Sequence, residues 1–377
     1  MLALTPPMGF NTWNTFGGNI SEQLITETCD AMIEKGYRDA GYTYVVIDDC
    51  WMMRSRDAGG RLVADPVKFP HGIRYLSDYV HERGMKFGIY SCAGTRTCQG
   101  YPASFGHEFT DAETFAEWGV DLLKYDFCNF PEHGDCVLAY HTMSMALKAC
   151  GREILFSACQ WGHKEPWKWM RSIGVHMYRS TGDILDNYVS FKEIAESQFE
   201  NLPYSAPGCY NDPDMLVVGM YGSGNVGDSE NRVTDEEYRT HFALWCFMGA
   251  PLMIGGDLRK IDGFCRDLLL NRELIAIDQD PCFRDPYPVG NRGGHRPVFI
   301  RHMSDGGFVI GMFNLSDARA DMPFQFHEAG IPYSSGFGLH LTDVFTGEDL
   351  GYKDDWFVTT LEAHSCRLYR AYLEKRP

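Results

Sequence analysis

Leu122-Leu-Lys-Tyr-Asp126 reads as a short strand that ends on a carboxylate. Lys124 and Asp126 lie two residues apart, so on a strand both side chains point to one face, where the ammonium would hold its neighbour ionised. Helical patterns flank the stretch, Ala112 to Trp118 before it and Asp135 to Ala149 after it. The same alternation extends both ways. Further strand candidates are Met8 to Trp13, Tyr44 to Asp48, Phe87 to Tyr90, Ile154 to Ala158, Met177 to Ser180, Cys209 to Asp212 and Leu252 to Ile254. Helical stretches fall at Ser21 to Arg38, Ile73 to Arg83, Glu165 to Arg171, Phe191 to Phe199, Asp235 to Phe247 and Phe264 to Asn271. Strands each followed by a helix over roughly 270 residues predict an α/β fold, a (β/α)8 TIM barrel.

Beyond Asp280-Pro281 the texture changes. Pro286, Pro288, Gly290, Gly293 and Gly294 read as a linker, and short β runs follow at Val298 to His302, Gly307 to Phe313 and Trp356 to Leu361. Separated by Gly, Asp and Asn turns, they predict a C-terminal antiparallel β-sandwich. The expected domains are residues 1–285 and 286–377.

The chain has 377 residues, 44% of them apolar and 23% charged, a globular composition without disordered or collagen-like bias. Its 34 basic and 51 acidic side chains give a net charge of −17, a field that repels phosphate backbones and anionic lipid. No nucleic acid partner is expected. The longest apolar run, Phe242 to Ile254, contains Gly249 and Pro251 and falls short of the about 20 residues of a membrane span. No membrane partner is expected either. Met1-Leu-Ala-Leu-Thr-Pro-Pro lacks the basic start and apolar core of a secretory signal, so a cytoplasmic location is expected unless a signal peptide was removed. The 13 cysteines are odd in number and show no C-x-x-C spacing, so at least one thiol is free or pairs between chains, and most should be reduced and buried. A homo-oligomer is compatible with this sequence.

A barrel's site lies at the C-terminal ends of its strands, and carboxylates crowd there: Asp48-Asp49, Asp126, Asp183 in Arg179-Ser-Thr-Gly-Asp183, and Asp214 in Asn211-Asp-Pro-Asp214. One such Asp alone reads as a helix cap or loop turn. Carboxylates at four strand ends on one face point to paired-carboxylate chemistry, as in glycoside hydrolysis, with one nucleophile and one acid then base. Trp13, Trp51 and Trp161 each follow a predicted strand and are expected to ring the same mouth. Indoles pack on the C–H face of a sugar while carboxylates take its hydroxyls, so the combination points to a carbohydrate substrate.

Met8-Gly-Phe-Asn-Thr-Trp13, Ile47-Asp-Asp-Cys-Trp51, Leu123-Lys-Tyr-Asp126, Thr181-Gly-Asp183 and Asn211-Asp-Pro-Asp-Met215 resemble, in order, the signature segments of glycoside hydrolase family 27, the α-galactosidases and α-N-acetylgalactosaminidases. The resemblance spans about residues 5 to 281 and continues loosely beyond. It implies a retaining exo-glycosidase without cofactor or metal, with Asp126 as nucleophile and Asp183 as acid/base. It also implies that Asp48, Asp49, Lys124, Arg179 and Asp214 hold sugar hydroxyls and that Trp13 packs on the ring. Tyr90, Cys98, Cys159, Trp161 and Met215 would line the pocket. Gln160 stands where galactosidases of the family usually carry Glu, near the sugar's 2-position, and its bulk favours a free 2-hydroxyl over an acetamide. The intact Asp48-Asp49 pair favours galactose over arabinopyranose. Secreted members bridge the Cys50 position to a cysteine near residue 18, where this chain has Gly18, so Cys50 is expected free. A second family bridge would join Cys98 to Cys128.

The leading expectation is thus an α-galactosidase. β-L-arabinopyranosidase or α-N-acetylgalactosaminidase activity on the same scaffold is the enzymatic alternative; a non-catalytic sugar-binding protein and a metal-dependent barrel hydrolase are rivals of other classes. Gly222-Ser-Gly-Asn-Val-Gly227 satisfies G-x-G-x-x-G but precedes a polar loop instead of a helix, and His81, His107, His133 and His163 form no metal-binding spacing. The sequons at Asn19 and Asn314 matter only in a secreted setting.

Overall fold

The computed structural model describes residues 2–289 and 294–377. Gly290 and Gly293 of the expected linker lie outside the described residues.

Eight parallel strands form one sheet: β1 (Met8–Asn11), β2 (Tyr44–Val46), β3 (Lys86–Cys92), β4 (Leu122–Asp126), β5 (Leu155–Cys159), β6 (Met177–Arg179), β7 (Tyr210–Asp212) and β8 (Leu252–Ile254). Their spatial order is β7-β6-β5-β4-β3-β2-β1-β8, with β1 pairing β8. The chain just past β7 closes the ring: Leu216 bridges Ile254, donating its N–H to Met253 O at 2.8 Å and accepting from Gly255 N at 2.8 Å. The (β/α)8 expectation holds, and each of the eight predicted strands is present. Their near-continuous apolar character follows from burial on both faces, since helices cover the outside.

The helices carry their own punctuation. Ser21 caps Glu22–Glu34 by accepting from Leu24 N, Asp135 caps Cys136–Ala149, Asn187 caps Tyr188–Gln198, and Thr234 with Glu237 forms a capping box on Asp235–Met248. One expected helix is absent. Glu165 to Arg171 folds as two 3₁₀ turns, Pro166–Lys168 and Met170–Ile173, because Pro166 breaks the pattern and the Trp169 indole donates to Lys164 O at 2.9 Å.

The C-terminal strands build an antiparallel sandwich. One sheet has the order β14-β13-β16-β11-β10-β9 and faces the pair β12-β15. Their bounds are β9 Tyr287–Pro288, β10 Val298–His302, β11 Phe308–Asn314, β12 Ala320–Gln325, β13 Phe337–Asp343, β14 Asp349–Lys353, β15 Trp356–Leu361 and β16 Ser365–Lys375. Pro288, expected in a linker, instead lies in β9 opposite Phe299. Ile300, Ile310, Phe324, Leu341 and Leu368 are fully buried within the two packed domains. Asn314 is also fully buried and its amide donates to the carbonyls of Ala318 and Glu362, so its sequon is inaccessible in the folded chain.

Candidate active site

A cavity of about 210 Å³ opens at the C-terminal ends of the barrel strands, lined by Asp48, Asp49, Lys124, Asp126, Asp183 and Asp214 together with Trp13, Tyr90, Cys98, Trp161, Arg179 and Met215. Twelve of the fourteen residues expected at the site therefore meet in one space. Asn14, Gln99 and Cys128 complete the lining, and nothing in their local sequence marked Asn14 or Gln99.

Two expected residues lie elsewhere. Cys159 sits deeper, beside a space of about 30 Å³ between the strands, where Arg179 Nη1 approaches its sulfur at 3.7 Å. Gln160 is fully buried and does not line the cavity, and neither atom of its amide has a partner among the described residues. Strand alternation explains this: Ser157 and Cys159 face the barrel interior, so Gln160 turns to the opposite face. Trp161 then adopts a left-handed φ of 56°, which returns its half-exposed ring to the mouth. Trp51 is a further correction. It is fully buried, its indole donating to Tyr90 O at 2.8 Å and meeting Trp118 edge-on at 5.6 Å.

The carboxylates differ in what they touch. Asp48 accepts from Lys124 Nζ at 2.7 Å and Asn11 Nδ2 at 2.8 Å through one oxygen, and from Asp49 N through the other. Lys124 thus pairs with Asp48 directly, and reaches Asp126 only through its field. Burial opposes the Lys124 charge, but Asp48 and Asp126 outweigh it and raise its proton affinity. Asp49 accepts from Cys50 N and from Gln99 N at 3.0 Å; burial raises its pKa despite these donors. Among the described residues Asp126 accepts one hydrogen bond, from Phe127 N at 2.9 Å, through one of its two oxygens. Burial pushes it up to about 6, against the pull of Lys124.

Arg179, buried at the end of β6, binds two carboxylates at once: Asp214 at 2.8 Å and Asp183 at 2.9 Å. Asp183 keeps 61% of its side chain exposed; burial tends to raise it, and the guanidinium prevails and lowers it. Asp214 is enclosed and raised by burial. It has a φ of 88°, a strained value for a side-chain-bearing residue, stabilised by Asp214 N donating to Asp212, Ile184 N donating to its carboxylate at 2.8 Å, and the Trp245 indole donating to its carbonyl at 2.7 Å.

Cys98 and Cys128 form a disulfide, the bridge the family resemblance implied. Cys50 is free, and a Cβ on Gly18 would come within 3.0 Å of its sulfur, which places Gly18 where a bridging cysteine would stand. Among the described residues the group of metal-ligating atoms that converges is Cys98, Asp126 and Cys128, and its two sulfurs are bonded to each other. The Gly222 to Gly227 stretch is a loop whose Gly222 N donates to Asp186 at 2.6 Å.

A parallel barrel with a cation-braced cluster of carboxylates and indoles at its C-terminal mouth, carrying a β-sandwich, is the architecture of a barrel glycoside hydrolase. Residues 5–280 match the family described as Alpha galactosidase A, and residues 293–371 its C-terminal beta sandwich domain. The chain belongs to this family, glycoside hydrolase family 27. It is 43% identical over 373 residues to the alpha-galactosidase of Coffea arabica, covering 98% of this chain and 94% of that one. Alpha-galactosidase A of Homo sapiens is 40% identical over 332 residues, with 83% and 75% covered. The crystal structure of alpha-galactosidase I from Mortierella vinacea superposes with a TM-score of 0.91 at 34% identity, covering 98% and 97%.

Proposed function

We infer that the protein is a retaining exo-α-galactosidase that removes terminal α-linked D-galactose from oligosaccharides or glycoconjugates. The observation that carries this reading is the gathering of Asp126, Asp183, Asp48, Asp49 and Lys124 in a single cavity, in a chain whose full-length relatives are alpha-galactosidases.

Asp126 is the nucleophile. A carboxylate oxygen of Asp126 attacks the anomeric carbon as the bond to the leaving oxygen breaks, and Asp183 gives that leaving oxygen its proton. Water, relieved of a proton by Asp183, then attacks the same carbon and releases Asp126. Arg179 holds Asp183 on the leaving-group side, and Trp13 packs on the sugar ring. Asp48, whose charge Lys124 balances, and Asp49 accept hydrogen bonds from the 4- and 6-hydroxyls. The full pair supports galactose over a pentopyranose lacking the 6-hydroxymethyl group.

Initial rates on para-nitrophenyl α-galactoside, β-L-arabinopyranoside and α-N-acetylgalactosaminide test the reading. The galactoside should lead in kcat/KM by at least about tenfold, the worth of one misfitted group in a closed site. An arabinopyranoside or acetylgalactosaminide turned over as well as the galactoside overturns it.

A further inference from the structure

The Gly222 to Gly227 loop, which follows β7, touches two other segments of the barrel mouth. On one side Val226 N donates to Asn14 O at 3.0 Å and Asn225 N to Thr15 O at 3.1 Å. Trp13 and Asn14 line the catalytic cavity. On the other side stands Asp186, three residues beyond Asp183. It accepts from Gly222 N at 2.6 Å through one oxygen and from the Tyr238 hydroxyl at 2.8 Å through the other, and its own N–H donates to Val226 O at 3.0 Å. Val226 thus bonds both segments, Asn14 through its N–H and Asp186 through its carbonyl.

The glycines let these backbones approach. A Cβ on Gly224, whose φ is 88°, would stand 2.9 Å from Thr15 Cα and 3.0 Å from Asn14 O, and one on Gly227 would stand 2.4 Å from Gly222 O. Asp186 is fully buried, and burial pushes its pKa up to about 6, so near neutrality it is an anion that can only accept. A buried carboxylate is costly to leave unpaired, which makes this one a firm anchor. Its hydroxyl partner is fixed too: Tyr238 is fully buried on Asp235–Met248 and accepts from Tyr221 N at 2.7 Å.

We propose that Asp186 is a positioning residue for glycoside hydrolysis: through the Gly222 to Gly227 loop it locks the segment carrying Asp183 to the segment carrying Trp13, so that proton donor and ring platform keep one separation. The proposal rests on the roles read for those two residues. They follow different strands, β6 and β1, and the Asp183 side chain is 61% exposed, so neither strand alone fixes the gap. Misplacing a catalytic group by about 1 Å can cost on the order of a hundredfold in rate. Arg179 and Lys124 supply the field at Asp183, so Asp186 reaches it through the backbone.

Asp186→Asn keeps the size but leaves Gly222 N or the Tyr238 hydroxyl facing an amide N–H; Tyr238→Phe is a second, milder break, and Gly224→Ala strikes the Trp13 side. Two readings separate the ends. The ratio of kcat/KM for methyl α-galactoside to that for a dinitrophenyl galactoside reports the proton from Asp183, and the inhibition constant of free galactose reports the ring site. Each variant should lower the ratio and raise the constant, both by about fivefold, one hydrogen bond's worth. A variant that moves only the property of its own end, or neither, overturns the proposal. Phe324→Leu, a cut in the buried sandwich core, lowers stability away from the loop and should move neither reading; matching shifts there overturn the proposal as well. Hydrogen exchange reads the brace without catalysis: Asp186→Asn should speed exchange at Asn225 and Val226, and Gly224→Ala at Asp186, each by about fivefold or more. Unchanged exchange at the far end overturns the coupling. A wild type inert on galactosides would overturn the parent activity alone, with exchange still deciding the brace.

Discussion

Asp126 and Asp183 share one cavity but have opposite surroundings: Asp126 is enclosed, with a single hydrogen-bond donor among the described residues, while Asp183 is open to solvent and paired with Arg179. The chemistry needs Asp126 ionised and Asp183 protonated, yet burial raises Asp126 to about 6 and Arg179 lowers Asp183. The competent form of the free enzyme therefore holds its proton on the more acidic group. Wild-type kcat/KM should be level between the low pKa of Asp183 and about 6, then fall as pH rises further, because Asp126 is fully ionised and Asp183 keeps losing its proton. In Asp183→Ala acting on a dinitrophenyl galactoside, which needs no proton, kcat/KM should instead rise through about 6 and stay high. A fall above that pH in the variant would refute the assignment. The same burial has a cost in stability. A folded pKa of about 6 against an ordinary value of 3.8 means that the native state holds the proton more tightly. Stability from this group is therefore fully present below pH 3.8 and lost as pH rises towards about 6. Two pKa units correspond to about 3 kcal/mol. Asp126→Asn should melt higher than wild type at pH 7 by that order, with the gain vanishing near pH 4; equal melting curves at both pH values would refute it. Little of this was legible in the sequence. Residue types and strand parity placed Lys124 and Asp126 on one face, but not that Lys124 would pair with Asp48, nor that Gln160 would face away from the cavity and Trp51 sink into the core.

Asp183 stands on a loop four residues beyond Arg179, held by Ile184 N to Asp214, by Arg179, and by Thr181 Oγ1, which donates to Pro213 O at 3.1 Å. Pro213 and Asp214 follow β7, so the acid/base is positioned by the neighbouring strand's end as much as by its own. Thr181→Val keeps the shape and removes that donor, leaving the Pro213 carbonyl unpaired at a cost of about 1 kcal/mol, or roughly fivefold. We expect that loss in kcat/KM for alkyl galactosides that need full protonation, a smaller loss for dinitrophenyl galactoside, and an unchanged inhibition constant for free galactose. Equal losses on both substrates would mean that Thr181 supports the fold and not the acid. At this scale the sequence was informative where local signals agree. Leu122–Asp126 and Leu252–Ile254 have the bounds their apolar runs predict, whereas Glu165 to Arg171 lost its helix to Pro166 and to an indole contact that periodicity cannot register. The loop geometry at Asp183 depends on Asp214 holding a positive φ, which Asp tolerates better than most residues and which the surrounding hydrogen bonds select.

Barrel and sandwich meet through Arg301, which lies on β10 and is fully buried. Its guanidinium donates to Cys246 O and Phe247 O at 3.0 Å each and to Asp278 O at 3.5 Å, and lies 4.9 Å from the Phe283 ring centroid. The two carbonyls end Asp235–Met248, where the negative pole of the helix favours a cation; Cys246 O also accepts from Gly249 N at 3.2 Å. Phe247 also meets Phe313 edge-on at 5.8 Å and Phe299 at 6.3 Å, so the helix end is clasped by the sandwich. In the sequence the boundary was visible as a change in texture and turn residues, but nothing within Val298 to His302 marks Arg301 as the joint. Arg301→Met should therefore lower the stability of the whole chain by about 1 to 3 kcal/mol, the cost of leaving the buried Phe247 carbonyl without a donor. Arg319→Ala is the contrast. Arg319 pairs with Glu362 at 3.4 Å with both side chains largely exposed, and its loss should change stability by less than about 1 kcal/mol. Because Arg301 joins the last turn of a barrel helix to the sandwich, the variant should still unfold in a single transition, shifted down. Two separated transitions in calorimetry would show that the domains fold independently, and that Arg301 stabilises only the piece to which it belongs.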